Sequence, residues 1–258
     1  MSETPAKSHQ RSLMRLIQIT DCHLMADTTK CVYGDINPYQ TLAQCLRLSN
    51  DLAPDAIIFT GDISGDNTAQ SYRHFIALYT KYCSSVATKV IAGNHDVNPY
   101  FAEMLGSLLL QAGEPWRLKH WLLHGLDSTF EGARGLVGTA QMEQVAQAVA
   151  DNRDHFHLAA VHHHPVDSES WMDRHCLTDA AALRQWFASN QAIRGLIHGH
   201  IHTARECYIA QRPIWSSPSS CWQWAMTPEF GLDDAAPGVR VVDLAPDGTI
   251  TTFIRRVA

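Results

Sequence analysis

Five short motifs stand in order along this chain, each closing an apolar run, and their residue types are those that hold metal ions and move phosphoryl groups. They are Asp21-Cys22-His23, Gly61-Asp62, Gly93-Asn94-His95-Asp96, His162-His163-His164-Pro165 and Gly199-His200-Ile201-His202. A phosphodiester resists hydrolysis because its own charge repels nucleophiles and its leaving alkoxide is poor. Two divalent cations roughly 3.5–4 Å apart answer both difficulties: they make a hydroxide from water near neutral pH and clamp the phosphoryl oxygens during in-line displacement. Carboxylate, imidazole and amide oxygen suit such hard and borderline cations, whereas thiolates would pull toward zinc or copper.

In extended chain, residues two apart share a side. Asp21 and His23 are therefore expected to present two ligands from one strand end, and His200 and His202 two from another. Gly61, Gly93 and Gly199 let the backbone turn sharply and come close to a bound group. Charge counting gives one metal Asp21, His23, Asp62 and His202, and the other Asp62, Asn94, His200 and a histidine of the 162–164 triplet. Asp62 bridges, having two oxygens to share. Two divalent ions less Asp21, Asp62 and a bridging hydroxide leave a charge of about +1, which suits a singly charged phosphodiester. His95, beside Asn94, is left to face the substrate as the donor to the leaving oxygen. Singly these are weak signals, since Asp-x-His pairs are common in loops and Asn-His-Asp also fits an Asx turn. The full set in order carries the two-metal reading.

Further segments narrow the resemblance: Leu16-Ile17-Gln18-Ile19-Thr20-Asp21, Ser170-Trp171-Met172-Asp173-Arg174-His175-Cys176-Leu177, Ser217-Pro218-Ser219-Ser220-Cys221, Ala236-Pro237-Gly238 and Asp247-Gly248-Thr249. With the five motifs, they make the chain similar to the calcineurin-like metallophosphoesterase superfamily over almost its whole length. More narrowly it resembles the bacterial class III 3′,5′-cyclic-AMP phosphodiesterases, the CpdA family. The resemblance implies hydrolysis of 3′,5′-cyclic AMP to 5′-AMP with an iron or manganese pair, zinc or cobalt also being acceptable to the ligands. It implies that His163, two residues before Pro165, is the triplet's ligand, with His162 and His164 behind it. One departure is Cys22, where a small hydroxyl residue is more usual; lying between two ligands, it is expected to face away. The metal core is common to diesterases of glycerophosphodiesters, 2′,3′-cyclic nucleotides and nucleotide pyrophosphates, so another phosphodiester is the alternative substrate.

His23, Asp62, Asn94, His95 and His202 are expected to meet the substrate as well. A nucleobase needs an aromatic or apolar surface near the metals, and Trp171, His175, Trp222 and Trp224 are the candidates, although tryptophans more often serve packing. The segment from Val166 to Leu177 directly follows a ligand and is the expected rim.

The elements that must position these groups alternate. Strands are expected at Leu13–Thr20, Ala56–Thr60, Lys89–Ala92, Leu158–His162 and Ile193–His198, with one or two in Trp116–Leu126. Helices are expected at Pro38–Leu52, Thr68–Cys83, Pro99–Leu110, Thr139–Ala150 and Asp179–Ser189. Short strands follow at Arg205–Ile209, Ile214–Ser217, Val239–Leu244 and Thr249–Ile254, with a hairpin at Asp247-Gly248. An α/β half with a β-rich tail predicts two sheets face to face with helices outside, an αββα sandwich, as one domain over residues 1–258. Ligands at the carboxyl ends of several strands then meet at one edge.

Whole-chain properties agree. Hydrophobic residues make up 45%, enough for a full core, and the formal charge of −6 with no basic run argues against nucleic acid as a partner. The seven cysteines, odd in number and without CxxC spacing, suggest reduced thiols in the cytoplasm. Residues 1–11 form a polar stretch with no apolar core of a signal peptide, expected to be a flexible tail. No apolar run is long enough to span a membrane. The expected partner is a small cyclic nucleotide; oligomeric state is left open.

Overall fold

A computed structural model describes residues 13–258, so the expectation for the first eleven residues lies outside the described part. In chain order the first half comprises β1 (Met14–Ile19), α1 (Pro38–Asp51), β2 (Ala56–Thr60), α2 (Ala69–Cys83), β3 (Ala87–Ile91), α3 (Pro99–Leu105), β4 (Trp116–Leu118) and β5 (Trp121–Leu126). Then come α4 (Thr139–Asp151), β6 (Phe156–Val161), α5 (Ala180–Ser189), β7 (Ile193–His198), β8 (Arg205–Ile209) and β9 (Arg212–Ser216). The chain closes with β10 (Gln223–Trp224), β11 (Leu232–Asp233), β12 (Gly238–Leu244) and β13 (Ile250–Arg256).

One sheet runs β13-β12-β1-β2-β3 and the other β4-β5-β6-β7-β9-β8, with β10 and β11 as a separate hairpin. Alternation along the strands builds three apolar layers. In β1 and β2, Leu16, Ala56 and Ile58 face the space between the sheets, whereas Ile17, Ile57 and Phe59 face α1 and α2. In β6, Leu158 and Ala160 point between the sheets, and Ala159 and Val161 lie under α4 and α5. Strands buried on both faces read as continuous apolar runs, which is why Ala-Ile-Ile-Phe-Thr of β2 shows no alternation of polarity. The expected αββα sandwich is the observed one.

Local signals mark the helix starts. Asn37 accepts a hydrogen bond from the Gln40 amide ahead of Pro38, and Thr68 and Asn98 cap α2 and α3 in the same way. One expectation changes. Helix α3 stops at Leu105 rather than running to Leu110; a short 3-10 turn spans Gly106–Leu108, and the Leu110 amide then bonds to the Val90 carbonyl, burying Leu110 between the sheets. The β-rich tail divides between the two sheets. Strands β8 and β9 extend the second sheet, whereas β12 returns antiparallel to β1 and brings β13 to the edge of the first. Ala245 and Thr249 close the β12–β13 hairpin around Gly248, at φ +89°.

Beneath α4 and α5 lies a buried histidine pair. His157 Nε2 donates to the Asn152 carbonyl, so its Nδ1 accepts from His124 Nε2 at 2.9 Å and both rings are neutral. Burial, then the neighbouring His157, lowers His124 to about 3. A histidine depressed below its ordinary value contributes stability above pH 6.5 that is lost as pH falls toward the folded value, because only the unfolded chain takes up the proton. Substituting His124→Gln keeps an Nε2 donor and removes that linkage. Between pH 7.5 and 5.0, urea unfolding should show the wild type losing about 2 kcal/mol more stability than H124Q. Parallel losses would mean that His124 does not resist protonation.

Candidate metal centre

Three of the motifs close strands of the first sheet (β1, β2, β3) and two close strands of the second (β6, β7), so the site lies on the edge where the two sheets open. The chain does not deliver ligands by simple extension. Asp21, His23, Asp62, His200 and His202 all sit at positive φ, between 45° and 69°. Each such residue costs on the order of 1–3 kcal/mol and persists only where its surroundings over-determine it. Here the loops after β1 and β2 bond side by side: Asp21 N to Gly61 O, His23 N to Asp62 O and Leu24 N to Ile63 O, at 2.9–3.0 Å. Glycine is required where these loops crowd together. A Cβ on Gly93 would strike the Asp62 carboxylate, and one on Gly199 would strike Thr20 and Asp21.

The resulting side chains form two adjoining groups. In the first, His202 Nε2 lies 3.1 Å from His23 Nε2 and 3.3 Å from Asp21 Oδ1. In the second, His162 Nε2 lies 3.2 Å from both Asn94 Oδ1 and His200 Nδ1 and 3.5 Å from Asp62 Oδ2. The same Asp62 oxygen is 3.6 Å from His23 Nε2 and so stands between the groups. Each aspartate holds one oxygen back: Asp21 Oδ2 accepts from Thr20 Oγ1 and the His200 amide, and Asp62 Oδ1 from the His95 amide. Asp21 Oδ1 is fully buried and has no hydrogen-bond partner.

The histidine tautomers are fixed by backbone carbonyls. His162 Nδ1 donates to Thr60 O, His202 Nδ1 to Trp222 O and His200 Nε2 to His175 O, at 2.7–3.0 Å. Each opposite ring nitrogen therefore turns into the group, the arrangement found in metal-ligating histidines. Electrostatics point the same way. Burial opposes ionisation of Asp62, yet His162 and His23 hold it well below the usual carboxylate range. Burial likewise opposes a charged His162, yet Asp62 and Asp21 raise it to about 9. Burial keeps His23, at about 3, neutral. One protonated imidazole cannot balance two buried carboxylates, and divalent metal ions, which would take the place of the His162 proton, fit that donor set.

The sequence placed His163 in the second group; the structure brings His162 there instead. The pleat decides it. His162 continues the parity of Leu158 and Ala160 toward the space between the sheets, whereas His163 follows Ala159 and Val161 under the helices. His163 Nδ1 pairs with Ser128 Oγ at 2.8 Å, and its Nε2 has no hydrogen-bond partner. His164 lies behind His200, with its Nε2 3.3 Å from Asp173. Cys22 faces away as expected, buried in the core beneath α1 and α2. Sequence reasoning passed over Asp96, which binds the Asp62 and Asn94 loops together by accepting from the Gly93, Ile63 and Ser64 amides and from Tyr72.

Over the two groups opens a cavity of about 460 Å³, lined by His95 and by the aromatic residues Tyr33, Trp171, His175, Trp222 and Trp224. His95 stands edge-on to His23, with ring centres 4.8 Å apart. The expected substrate contacts His23, Asp62, Asn94, His95 and His202 all reach this cavity.

Residues 14–204, which contain all five motifs, match the calcineurin-like phosphoesterase family, and the chain belongs to that family of phosphoester hydrolases. Within it, the likeness extends over the full length to bacterial proteins named 3′,5′-cyclic adenosine monophosphate phosphodiesterase CpdA. The Escherichia coli K12 protein is 31% identical over 95% of this chain and 90% of its own length. That of Pseudomonas aeruginosa is 32% identical (99% and 93%), and that of Haemophilus influenzae 28% (100% and 95%). Among solved structures, a dimetal phosphatase from Danio rerio has the same fold, with a TM-score of 0.67 at 13% identity over 95% of this chain and 99% of the other. The purple acid phosphatase PPD1 of yellow lupin, at 0.65 and 14%, covers 96% of this chain and matches 52% of that one.

The parity argument is testable by metal content. His162→Ala should reduce bound metal from two ions per chain to about one, measured by plasma emission after dialysis, whereas His163→Ala should retain both. The reverse pattern would restore His163 to the ligand set.

Proposed function

We propose that the chain hydrolyses 3′,5′-cyclic AMP to 5′-AMP at a binuclear metal centre. What carries this reading is the sharing of Asp62 between two ligand groups directly beneath an aromatic cavity. The relatives named CpdA support the choice of cyclic AMP. In this reading one metal takes Asp21, His23, Asp62 and His202, and the other Asp62, Asn94, His162 and His200. Iron or manganese is the proposed pair, on the family resemblance, and zinc or cobalt is also acceptable to these ligands. When bound, such a pair supplies an activated water and neutralises phosphoryl charge.

The protein's own groups do the rest. The cavity orients the nucleotide so that its phosphate rests on the ligand cluster and O3′, the oxygen that leaves when 5′-AMP forms, faces His95. The bond from the His95 amide to Asp62 Oδ1 fixes the backbone from which that imidazole reaches the mouth of the site. His95 gives O3′ a proton as the P–O3′ bond breaks, which prevents re-closure. Seven free cysteines are consistent with a cytoplasmic setting. Among the described residues no helix is long and apolar enough to cross a membrane.

Purified, manganese-loaded protein should turn over cyclic AMP with 5′-AMP as the nucleotide product, and should also cleave bis-(p-nitrophenyl) phosphate. Cleavage of the activated diester alone would sink the cyclic-AMP assignment. His95→Ala should retain its metals and lose about a hundredfold in kcat on cyclic AMP. The loss should be much smaller on the nitrophenyl diester, whose leaving group needs no proton. Equal losses on the two substrates would remove His95 from the role of proton donor.

A further inference from the structure

The aromatic residues around the cavity divide by what already covers their faces. Trp222 lies nearly parallel to His23, at 27° and 4.7 Å, and Trp224 to His202, at 26° and 5.0 Å. Those tryptophans back the proposed ligands. Trp171 and Tyr33 line the same cavity, yet among the described residues every aromatic neighbour meets them at 43° or more. None of these neighbours stacks in parallel on either of them. Trp171 is also firmly placed. Its amide donates to Thr227 O, Ser170 and Asp173 cap its turn, and His200 holds the carbonyl of His175 at the far end of that turn. Among the described residues, and outside the proposed ligands, no carboxylate, carboxamide or guanidinium side chain lines the cavity.

We infer that Trp171, with Tyr33 as a second wall, binds the nucleobase by stacking and leaves its hydrogen-bonding edge unread, so that guanine is accepted as well as adenine. This rests on the cyclic-nucleotide reading above and specifies it. A site that hydrogen-bonds one base rejects another by as much as 10⁴–10⁵, because its own buried polar groups are left unpaired. Selecting guanine requires an acceptor for its N1 and N2 hydrogens, and selecting adenine requires an amide-like group that both donates and accepts. Stacking is tolerant of the base, since every base has a π face, and removing one aromatic partner costs roughly 5- to 150-fold in affinity.

The test compares metal-loaded wild type, Trp171→Ala and Trp171→Phe on cyclic AMP, cyclic GMP and the 3′,5′-cyclic phosphate of methyl riboside, which carries no base. Wild type should use the two purine nucleotides within about tenfold of one another in kcat/KM. W171A should lose at least about tenfold on both, mainly through KM, and several-fold less on the base-free diester; W171F should recover most of the loss. A preference above about a hundredfold between the purines would overturn the inference, as would an equal loss by W171A on all three substrates. Failure to cleave either nucleotide while the base-free diester is cleaved would overturn the substrate reading and the base wall with it.

Discussion

Two carboxylates, Asp21 and Asp62, are buried a few ångströms from the same imidazoles, and the rest of the site is arranged around that charge. Like charges removed from water are tolerated only when paired, and among the described residues no lysine or arginine lines the site to pair them. The imidazoles cannot all supply the missing positive charge, because burial keeps His23, His163 and His200 neutral. Divalent cations resolve the conflict, and this is why the donors converge rather than pairing among themselves.

Convergence is imposed by backbone more than by side chains. Thr60, Trp222 and His175 each offer a carbonyl that orients one histidine, and backbone amides of His95 and His200 each hold one carboxylate oxygen. The aromatic cavity is tied to the same groups, since the carbonyls of His175 and Trp222 belong to the segments that form its walls. Ligand geometry and substrate cavity are therefore parts of one hydrogen-bonded unit. The left-handed residues at the loop ends show the strain this unit sustains.

The fold was legible because local and periodic signals agree. The apolar strands, the Asn and Thr caps and the motif order each specify an element or its end, and none needs long-range information. The helix predicted to Leu110 ended early because Leu110 pairs beside β3, a contact between residues that are local in neither period nor sequence. The return of β12 to β1 was hidden for the same reason: strand partners across more than 200 residues leave no mark on either segment alone.

The sequence by itself determined the chemistry. Aspartate, histidine and asparagine at five strand ends prescribe hard-metal binding and phosphoester hydrolysis whatever their exposure. Tertiary structure decided which atoms do it. Three consecutive histidines are equivalent as composition, and only the pleat of β6 between its neighbours turns His162 inward and His163 toward Ser128. The four aromatic candidates were likewise equivalent until packing placed Trp222 and Trp224 against ligand rings and left Trp171, among the described residues, with only tilted aromatic neighbours. Side-chain direction depends on a one-residue register, and register is set by neighbouring strands rather than by the residue itself.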